Sequence, residues 1–160
     1  MISGQGAKYI VGALNAYKKG ERKHPSMKAI AASLTEQDMA DLGAFYSTQA
    51  GPATAESAPA PTPPATVAEL LKKGNCASCH GENLNKPIDP SYPKLAGQHA
   101  DYLFVALKAY QTEGNPQVGR GNAIMAGMAK PFSHAELKQM ASYIASLPTD
   151  LKTVPESRFR

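Results

Sequence analysis

Apolar residues recur with helical spacing through most of the chain, and this pattern predicts an all-α fold. A first helix is expected near the start, with one apolar face made of Tyr9, Ala13, Leu14 and Tyr17. A second is predicted to begin at Thr35, a suitable N-cap with Asp38 three residues later. Its expected apolar stripe consists of Met39, Leu42, Phe45 and Tyr46.

Two more helices are predicted in the middle of the chain. Thr66 and Glu69 match a capping box and would open a short helix. A longer helix is expected over residues 99–113. One side of it is apolar and is interpreted as core: Tyr102, Leu103, Ala106, Leu107 and Tyr110.

The last predicted helix is opened by Ser133 and Glu136, which match a second capping box, and is ended by Pro148. Its expected core face consists of Leu137, Met140, Ala141 and Ile144. A Gly-rich turn ahead of this helix is expected to carry Met125 and Met128. No convincing strand pattern is found anywhere in the chain.

A proline-rich stretch predicts a division into domains. Residues 50–65 are rich in proline, which has no backbone N–H to donate in a helix or a sheet. This composition favours an extended, semi-rigid linker. The expected organisation is a partial unit at residues 1–49, this linker, a complete unit at 66–150 and a short tail at 151–160.

Charge and hydropathy exclude some classes of function. The 160 residues carry a net charge of +4, with 17 Lys and Arg against 13 Asp and Glu. These basic residues are spread out, which argues against nucleic acid and favours an acidic protein partner. No apolar run is long enough to span a bilayer. The first four residues also lack the basic and apolar regions of a secretory signal.

The strongest chemical signal is the pentapeptide Cys76-Ala77-Ser78-Cys79-His80, which holds the only two cysteines. A C-x-x-C-H run is typical of covalent haem c attachment, with a thioether at each cysteine and the imidazole of His80 beneath the iron. Because haem c is normally attached outside the cytoplasm, this motif conflicts with a chain start that lacks a secretory signal.

Three other interpretations of the pentapeptide are open. A structural zinc site would need four ligands, and the other histidines are scattered and expected at the surface: His24, His99 and His134. A thioredoxin-like dithiol would need a βαβ setting. A plain disulfide would leave His80 unexplained.

An internal repeat organises the chain. The sequence Gly4-Gln5 is followed by Ala7, Tyr9, Ala13, Leu14, Ala16 and Tyr17. The same spacing recurs after Gly97-Gln98 in Ala100, Tyr102, Ala106, Leu107, Ala109 and Tyr110. Further on, the segment beginning at Met27 aligns with the segment beginning at Met125.

These motifs resemble those of class I c-type cytochromes. The resemblance is carried by the pentapeptide and by two further segments, Tyr92-Pro93-Lys94-Leu95-Ala96-Gly97-Gln98 and Ile124-Met125-Ala126-Gly127-Met128-Ala129-Lys130-Pro131. The repeat is similar to that of the tandem two-haem bacterial cytochromes c of the c-four type. The resemblance implies the cytochrome c fold and one covalent haem c in this chain.

The family pattern implies roles for single residues. Cys76 and Cys79 would bear the thioethers, and His80 and Met125 would be the axial ligands of the iron. The carbonyl of Pro93 would accept a hydrogen bond from the His80 ring and fix its orientation.

Two assignments stay open beside that pattern. Met128 competes with Met125 as the sulfur ligand, because methionine often serves only as core packing. Arg120 would reach a haem propionate, or would simply lie exposed as most arginines do.

The implied function is one-electron transport between respiratory or periplasmic redox enzymes, so the protein is expected not to be an enzyme. By resemblance, the donor would be a quinol-oxidising cytochrome bc complex or a dehydrogenase, and the acceptor a terminal oxidase. The protein would work in the bacterial periplasm, free or associated with the membrane. The alternative is a haem enzyme, or the haem subunit of one, of the peroxidase or thiosulfate dehydrogenase type.

The first copy of the repeat departs from the family. It keeps Met27, the counterpart of Met125, but no C-x-x-C-H motif precedes it. Residues 1–49 are therefore expected to be a truncated haem domain, a haem-free remnant, or a half completed by a partner chain.

Overall fold

A computed structural model describes residues 1–52 and 58–153. The first copy of the repeat forms α1 (Ala7–Lys19), β1 (Arg22–Lys23), α2 (Pro25–Ser33) and α3 (Glu36–Ser47). The second part forms α4 (Ala65–Lys73), α5 (Ala77–His80), α6 (Ala100–Gln111), β2 (Gly119–Arg120), α7 (Ala123–Ala129) and α8 (His134–Ala145). The mostly helical fold is thus confirmed.

Two predicted helix starts are confirmed atom by atom. The Thr35 hydroxyl accepts the Asp38 N–H at 3.1 Å, and the Asp38 carboxylate accepts the Thr35 N–H at 2.8 Å. Ser133 and Glu136 form the same reciprocal pair at the start of α8. The bonds of a capping box are local, so the sequence can predict them without the tertiary fold.

The capping box predicted at Thr66 is wrong. Helix α4 begins one residue earlier, at Ala65, and Pro64 is its N-cap with no side-chain cap bond. Thr66 is therefore the second residue of the helix and not its N-cap, and the first helical bond runs from the Ala68 N–H to Pro64 O at 3.0 Å. The linker prolines set this start, because a fixed proline φ is compatible with entry into a helix.

The expected absence of strands is also wrong in one place. β1 and β2 form a two-residue antiparallel ladder that pairs Arg22 with Arg120 and Lys23 with Gly119. Strands this short leave no alternating pattern in the sequence, so only the tertiary fold reveals them.

The main core lies in the second copy, between α6 and α8. All four predicted core residues of α8 are buried, with exposed fractions of 0% for Leu137 and at most 4% for the rest. Leu103, Phe132 and Leu147 complete this cluster. In α6 the buried positions are Leu103, Ala106 and Ala109, whereas Tyr102 turns toward the other copy and is 37% exposed.

The two copies have matching internal contacts. Helix α1 packs on α3 as α6 packs on α8. The Gly4 N–H donates to Tyr46 O and the Gly97 N–H to Ile144 O, both at 2.9 Å. The repeat found in the sequence is therefore a repeat of structure.

Reciprocal glutamine contacts join the two copies. Gln5 donates through Nε2 to Lys94 O at 2.8 Å and accepts the Lys94 N–H at 3.0 Å. Gln98, at the equivalent position, donates to Met1 O at 2.8 Å. Both glutamines are at most 3% exposed. Satisfied buried amides of this kind fix how the halves sit on each other.

Helix α3 keeps part of its predicted stripe uncovered. Met39 is 1% exposed, but Phe45 is 58% exposed, so the stripe is buried on one side only. In the second copy the corresponding helix, α8, also packs against α4. The expectation that a further segment or partner chain completes residues 1–49 stays a prediction.

The domain boundaries also stay predictions. Part of the linker (residues 53–57) and most of the tail (residues 154–160) lie outside the described residues. Both described ends of the linker contact the second copy: the Gly51 N–H donates to Asp150 O at 2.6 Å, and the Tyr143 hydroxyl donates to Pro61 O at 3.0 Å. Within the described ranges, no helix has the length and apolar character needed to cross a membrane.

Candidate functional site

The pentapeptide folds as a single helical turn. Cys76 is the N-cap of α5, and the His80 N–H donates to Cys76 O at 3.1 Å. The two half-buried thiols are free, and burial raises the pKa of Cys76. Residues three apart on a helix share one face, so both thiols are presented together.

His80 is held in one tautomer. Its Nδ1 lies 2.9 Å from the carbonyl oxygen of Pro93. Because a carbonyl only accepts, Nδ1 must carry the proton, which leaves the lone pair on Nε2. Burial lowers the pKa of His80 more than the bond to Pro93 raises it. The ring is therefore neutral at pH 7, the form that binds a metal.

The loop that brings Pro93 to His80 is fixed by its own backbone. The Leu84 carbonyl accepts the N–H groups of Leu95 at 2.7 Å and Ala96 at 3.0 Å. The Ile88 N–H donates to Cys79 O at 3.1 Å. These bonds fold residues 81–96 back over the pentapeptide and so position the carbonyl of Pro93.

Gly81 lets the chain leave the helical turn directly after His80. Its φ of 83° and ψ of 161° lie in a region that is essentially restricted to glycine. A Cβ there would lie 2.0 Å from the backbone oxygen of Lys86. The motifs in the sequence assign no role to Gly81, although a glycine directly after a short helix is a C-cap signal.

We expect Gly81→Ala to cost about 3 kcal/mol or more, because backbone strain and a backbone clash add. Gly114→Ala is the matched control, since Gly114 has φ of 69° but open space around its Cβ position. Its cost should be only about 1 kcal/mol. Urea denaturation of both variants measures the difference, and equal midpoints would contradict this role for Gly81.

Met125 lies on a helix and not on the expected Gly-rich turn. The Asn122 side chain caps α7 by accepting the Met125 N–H at 2.9 Å. Gln111 holds the far end by donating to Ala129 O at 2.8 Å and to Phe132 O at 2.7 Å. Asparagine is a strong N-cap, so the sequence does contain a local signal for this short helix, although its hydrophobic pattern does not show it.

The two candidate methionines differ in exposure. Met125 is half-buried, whereas Met128 is 43% exposed. In the first copy, Met27 occupies the same place in α2, where His24 accepts its N–H at 3.3 Å. The three remaining histidines are exposed, as expected from the sequence: His24, His99 and His134.

Arg120 is half-buried and stacks between aromatic rings. Its guanidinium carbon lies 5.3 Å from the ring centre of Tyr110 and 5.6 Å from that of Tyr102. Nη2 donates to the Tyr102 hydroxyl at 3.1 Å. The freely exposed alternative for this side chain is not what the structure shows, and its contact with a propionate stays a prediction.

The donor set suits haem c better than zinc. In the part of the chain that the structure describes, no three side chains of His, Cys, Asp or Glu converge on one point. The pentapeptide instead offers two free thiols on one face and a neutral, oriented imidazole. Thiols of this spacing can form thioethers to the two vinyl groups of one haem.

Comparison with known proteins decides the family. A sequence model described as cytochrome c matches residues 64–148, which include the whole pentapeptide, Pro93 and Met125. The chain belongs to the cytochrome c family. With one C-x-x-C-H motif, this cytochrome c carries one covalent haem c.

Two curated relatives extend the similarity to both copies. Cytochrome c4 of Thiocapsa roseopersicina is 31% identical, over 91% of this chain and 77% of its own length. A thiosulfate dehydrogenase electron acceptor of Stutzerimonas stutzeri is 28% identical, over 91% of this chain and 69% of its own. The expected resemblance to the c-four type is confirmed.

Solved structures give the same result. Reduced recombinant cytochrome c4 from Pseudomonas stutzeri superposes with a TM-score of 0.69 at 28% identity, covering 91% of this chain and 83% of that one. Thiosulfate dehydrogenase (TsdBA) from Marichromatium purpuratum reaches a TM-score of 0.71 at 28% identity, covering 98% and 35%. This cytochrome c thus has the fold of cytochrome c4.

Proposed function

We propose that this cytochrome c is a one-electron carrier in which His80 and Met125 bind the haem iron from opposite sides. When bound, the haem iron supplies reversible one-electron chemistry between Fe(III) and Fe(II). The observation that carries the proposal is the orientation of His80, whose Nδ1–H is held by Pro93 while Nε2 stays free for the metal.

The two proposed iron ligands favour electron transfer over catalysis. The His80 imidazole and the Met125 thioether would hold the iron, and a haem held by both would have no position left for a substrate. A methionine ligand raises the reduction potential, and α7 holds Met125 on a helix capped at one end and tied at the other. Such fixed ligands need little rearrangement when the charge of the iron changes.

The exposed surface at the pentapeptide and the positive net charge suit an acidic partner. Ala77 and Ser78 are exposed. The exposed lysines near the motif, Lys72, Lys73 and Lys86, outnumber its exposed glutamates, Glu69 and Glu82, and the whole chain carries a net charge of +4. Opposite charges steer such encounters, and redox complexes usually have small, transient interfaces. We propose a dehydrogenase or a quinol-oxidising cytochrome bc complex as donor and a terminal oxidase as acceptor, with the periplasm as the place of action.

A second candidate has specific support. One relative is described as a thiosulfate dehydrogenase electron acceptor, and a thiosulfate dehydrogenase structure superposes on nearly the whole chain. We propose on that basis that a thiosulfate dehydrogenase is a candidate donor. A role as the enzyme itself would require an axial position that opens, which ligation by Met125 argues against.

The decisive experiment combines haem counting with ligand binding on the purified holoprotein. We expect a pyridine haemochrome assay to give one haem per chain and potentiometry to give a single one-electron transition. Carbon monoxide should not bind the reduced protein within the mixing time, because Met125 blocks the iron. Rapid carbon monoxide binding would favour the haem enzyme, and absence of haem would refute both candidates.

A further inference from the structure

We infer that Arg22, in the copy of the repeat without a haem motif, is a positioning residue for the propionate groups of the haem attached at Cys76 and Cys79. The inference rests on the proposed haem site but adds a residue from the other half of the chain. It makes residues 1–49 part of the haem environment.

The short ladder between the halves places two arginines side by side. Arg22 on β1 is the direct antiparallel partner of Arg120 on β2. Each arginine precedes a methionine of the repeat by five residues, Met27 in one copy and Met125 in the other. The ladder therefore brings Arg22 to the same end of the haem-bearing unit as Arg120.

The two guanidinium groups share one phenol oxygen. Nη2 of Arg22 donates to the Tyr102 hydroxyl at 2.7 Å, and Nη2 of Arg120 donates to the same oxygen at 3.1 Å. Burial alone would raise the pKa of Tyr102, but the charges of Arg120 and Arg22 lower it below its usual value. Both positive charges are thus close enough to act on one group.

Aromatic rings fix the Arg22 side chain. Its guanidinium carbon lies 4.6 Å from the ring centre of Tyr17, and Nη1 lies 3.5 Å from the Tyr9 hydroxyl. Burial is the main cause that raises the pKa of Tyr9 to about 12. Tyr9 is therefore neutral near pH 7, and it orients Arg22 without compensating its charge.

The arginine pair has no carboxylate partner among residues 1–52 and 58–153. Ion pairs in those ranges join Lys94 to Asp150 and Lys130 to Glu113. Arginine stays protonated in proteins, and two like charges in a partly buried site repel each other. A haem brings two carboxylates, and guanidinium groups bind carboxylates in a bidentate manner.

The test compares charge-matched variants of the holoprotein. Arg22→Gln removes the charge and the fork of donors, whereas Lys19→Gln removes one charge from an exposed position on the same segment. Arg22→Lys keeps the charge but loses the planar fork. Midpoint potentials are measured from pH 5 to 9 at low and high salt, and resonance Raman spectra report the propionate bending mode.

We expect Arg22→Gln to favour the ferric form, because an uncompensated propionate stabilises the more positive iron. At a fixed solution potential the Fe(III)/Fe(II) ratio should rise about tenfold, which corresponds to a potential about 59 mV lower for one electron. The propionate mode should shift in both Arg22 variants. Lys19→Gln should leave the mode unchanged and the ratio within about twofold, since exposed charges are screened.

The potential of Arg22→Gln should also become more dependent on pH, because a propionate without its partner ionises closer to neutrality. The ionisable and charged groups that face Arg22 are Tyr9, Tyr17, Tyr102 and Arg120. The phenols titrate at high pH, and His24 lies beside this group, with its ring centre 6.4 Å from that of Tyr17. The pH series is therefore repeated with His24→Gln in both the native and the Arg22→Gln background, and a new dependence below pH 8 that persists there belongs to the propionate.

Three outcomes would overturn the inference. The first is equal potentials for Arg22→Gln and Lys19→Gln, and the second is a potential that moves while the propionate mode stays unchanged. The third applies if Arg22→Gln does not acquire covalent haem. In that case the inference is overturned if Arg22→Lys has the same propionate bending mode as the native protein. Absence of covalent haem in the native protein would instead refute the proposed function, so the two failures are distinguishable.

Discussion

Replacing Met125 by alanine is expected to abolish the weak near-infrared sulfur-to-iron band of the oxidised protein. Axial ligands spread haem potentials over about 0.8 V, and methionine lies at the raising end. The midpoint potential should therefore fall by about 0.1 V or more. The reduced variant should also bind carbon monoxide rapidly, because the sixth position is no longer blocked.

Met128→Ala is the matched control for this experiment. Met128 lies on the same helix and is 43% exposed, so its loss should change neither the band nor the potential. The caps of α7 involve the Asn122 side chain and Gln111 and not the Met125 thioether, so circular dichroism should show an unchanged helix content. Retention of the near-infrared band in Met125→Ala would refute the assignment.

Replacing Cys76 and Cys79 together by serine should remove covalent attachment completely. Serine hydroxyls do not form the thioether links of a C-x-x-C-H motif. Intact mass should then match the polypeptide alone, and acidified acetone should extract any haem that His80 and Met125 still bind. The native protein should keep its haem through the same extraction.

The single variant Cys79→Ser is the control for this loss. One thioether at Cys76 should remain, and the pyridine haemochrome band should move to longer wavelength because one vinyl group stays conjugated. Both thiols are half-buried and take part in no disulfide, so serine should fit each position with little change in packing. Haem that stays bound to the double variant under denaturing extraction would contradict thioether attachment.

These two results bear on different parts of the ligand set. The cysteines and His80 belong to one pentapeptide, and their arrangement is local. Met125 is 45 residues beyond His80 in the chain, and only the fold can bring it to the site. A protein that keeps covalent haem but lacks the sulfur band would therefore retain the local part and lose the tertiary part.

The sequence by itself determined the features that depend on near neighbours. The pentapeptide identified the cofactor, because thioether formation requires a fixed spacing along the chain. Two capping boxes identified the starts of α3 and α8, since their bonds close over three residues. The helical spacing of the apolar residues in α8, from Leu137 to Ile144, identified its core face, because the apolar face of a helix must be covered by other parts of the protein.

Features with weak local signals were missed or misplaced. Helix α7 is short and contains Gly127, so it looked like a turn until the Asn122 cap was visible. Helix α4 was expected to begin at a capping box around Thr66, but the prolines before it set the start at Ala65. In the first case a side-chain cap, and in the second the backbone of the prolines, determined the helix start more strongly than the pattern of apolar residues.

Only the tertiary structure decided how the two copies meet. Gln5 contacts Lys94, Gln98 contacts Met1, and Arg22 pairs with Arg120, all between residues about a hundred positions apart. Such contacts have no period in the sequence, because they depend on how whole helices pack. They explain why residues 1–49 pack closely on a haem-bearing unit although they have no haem motif of their own.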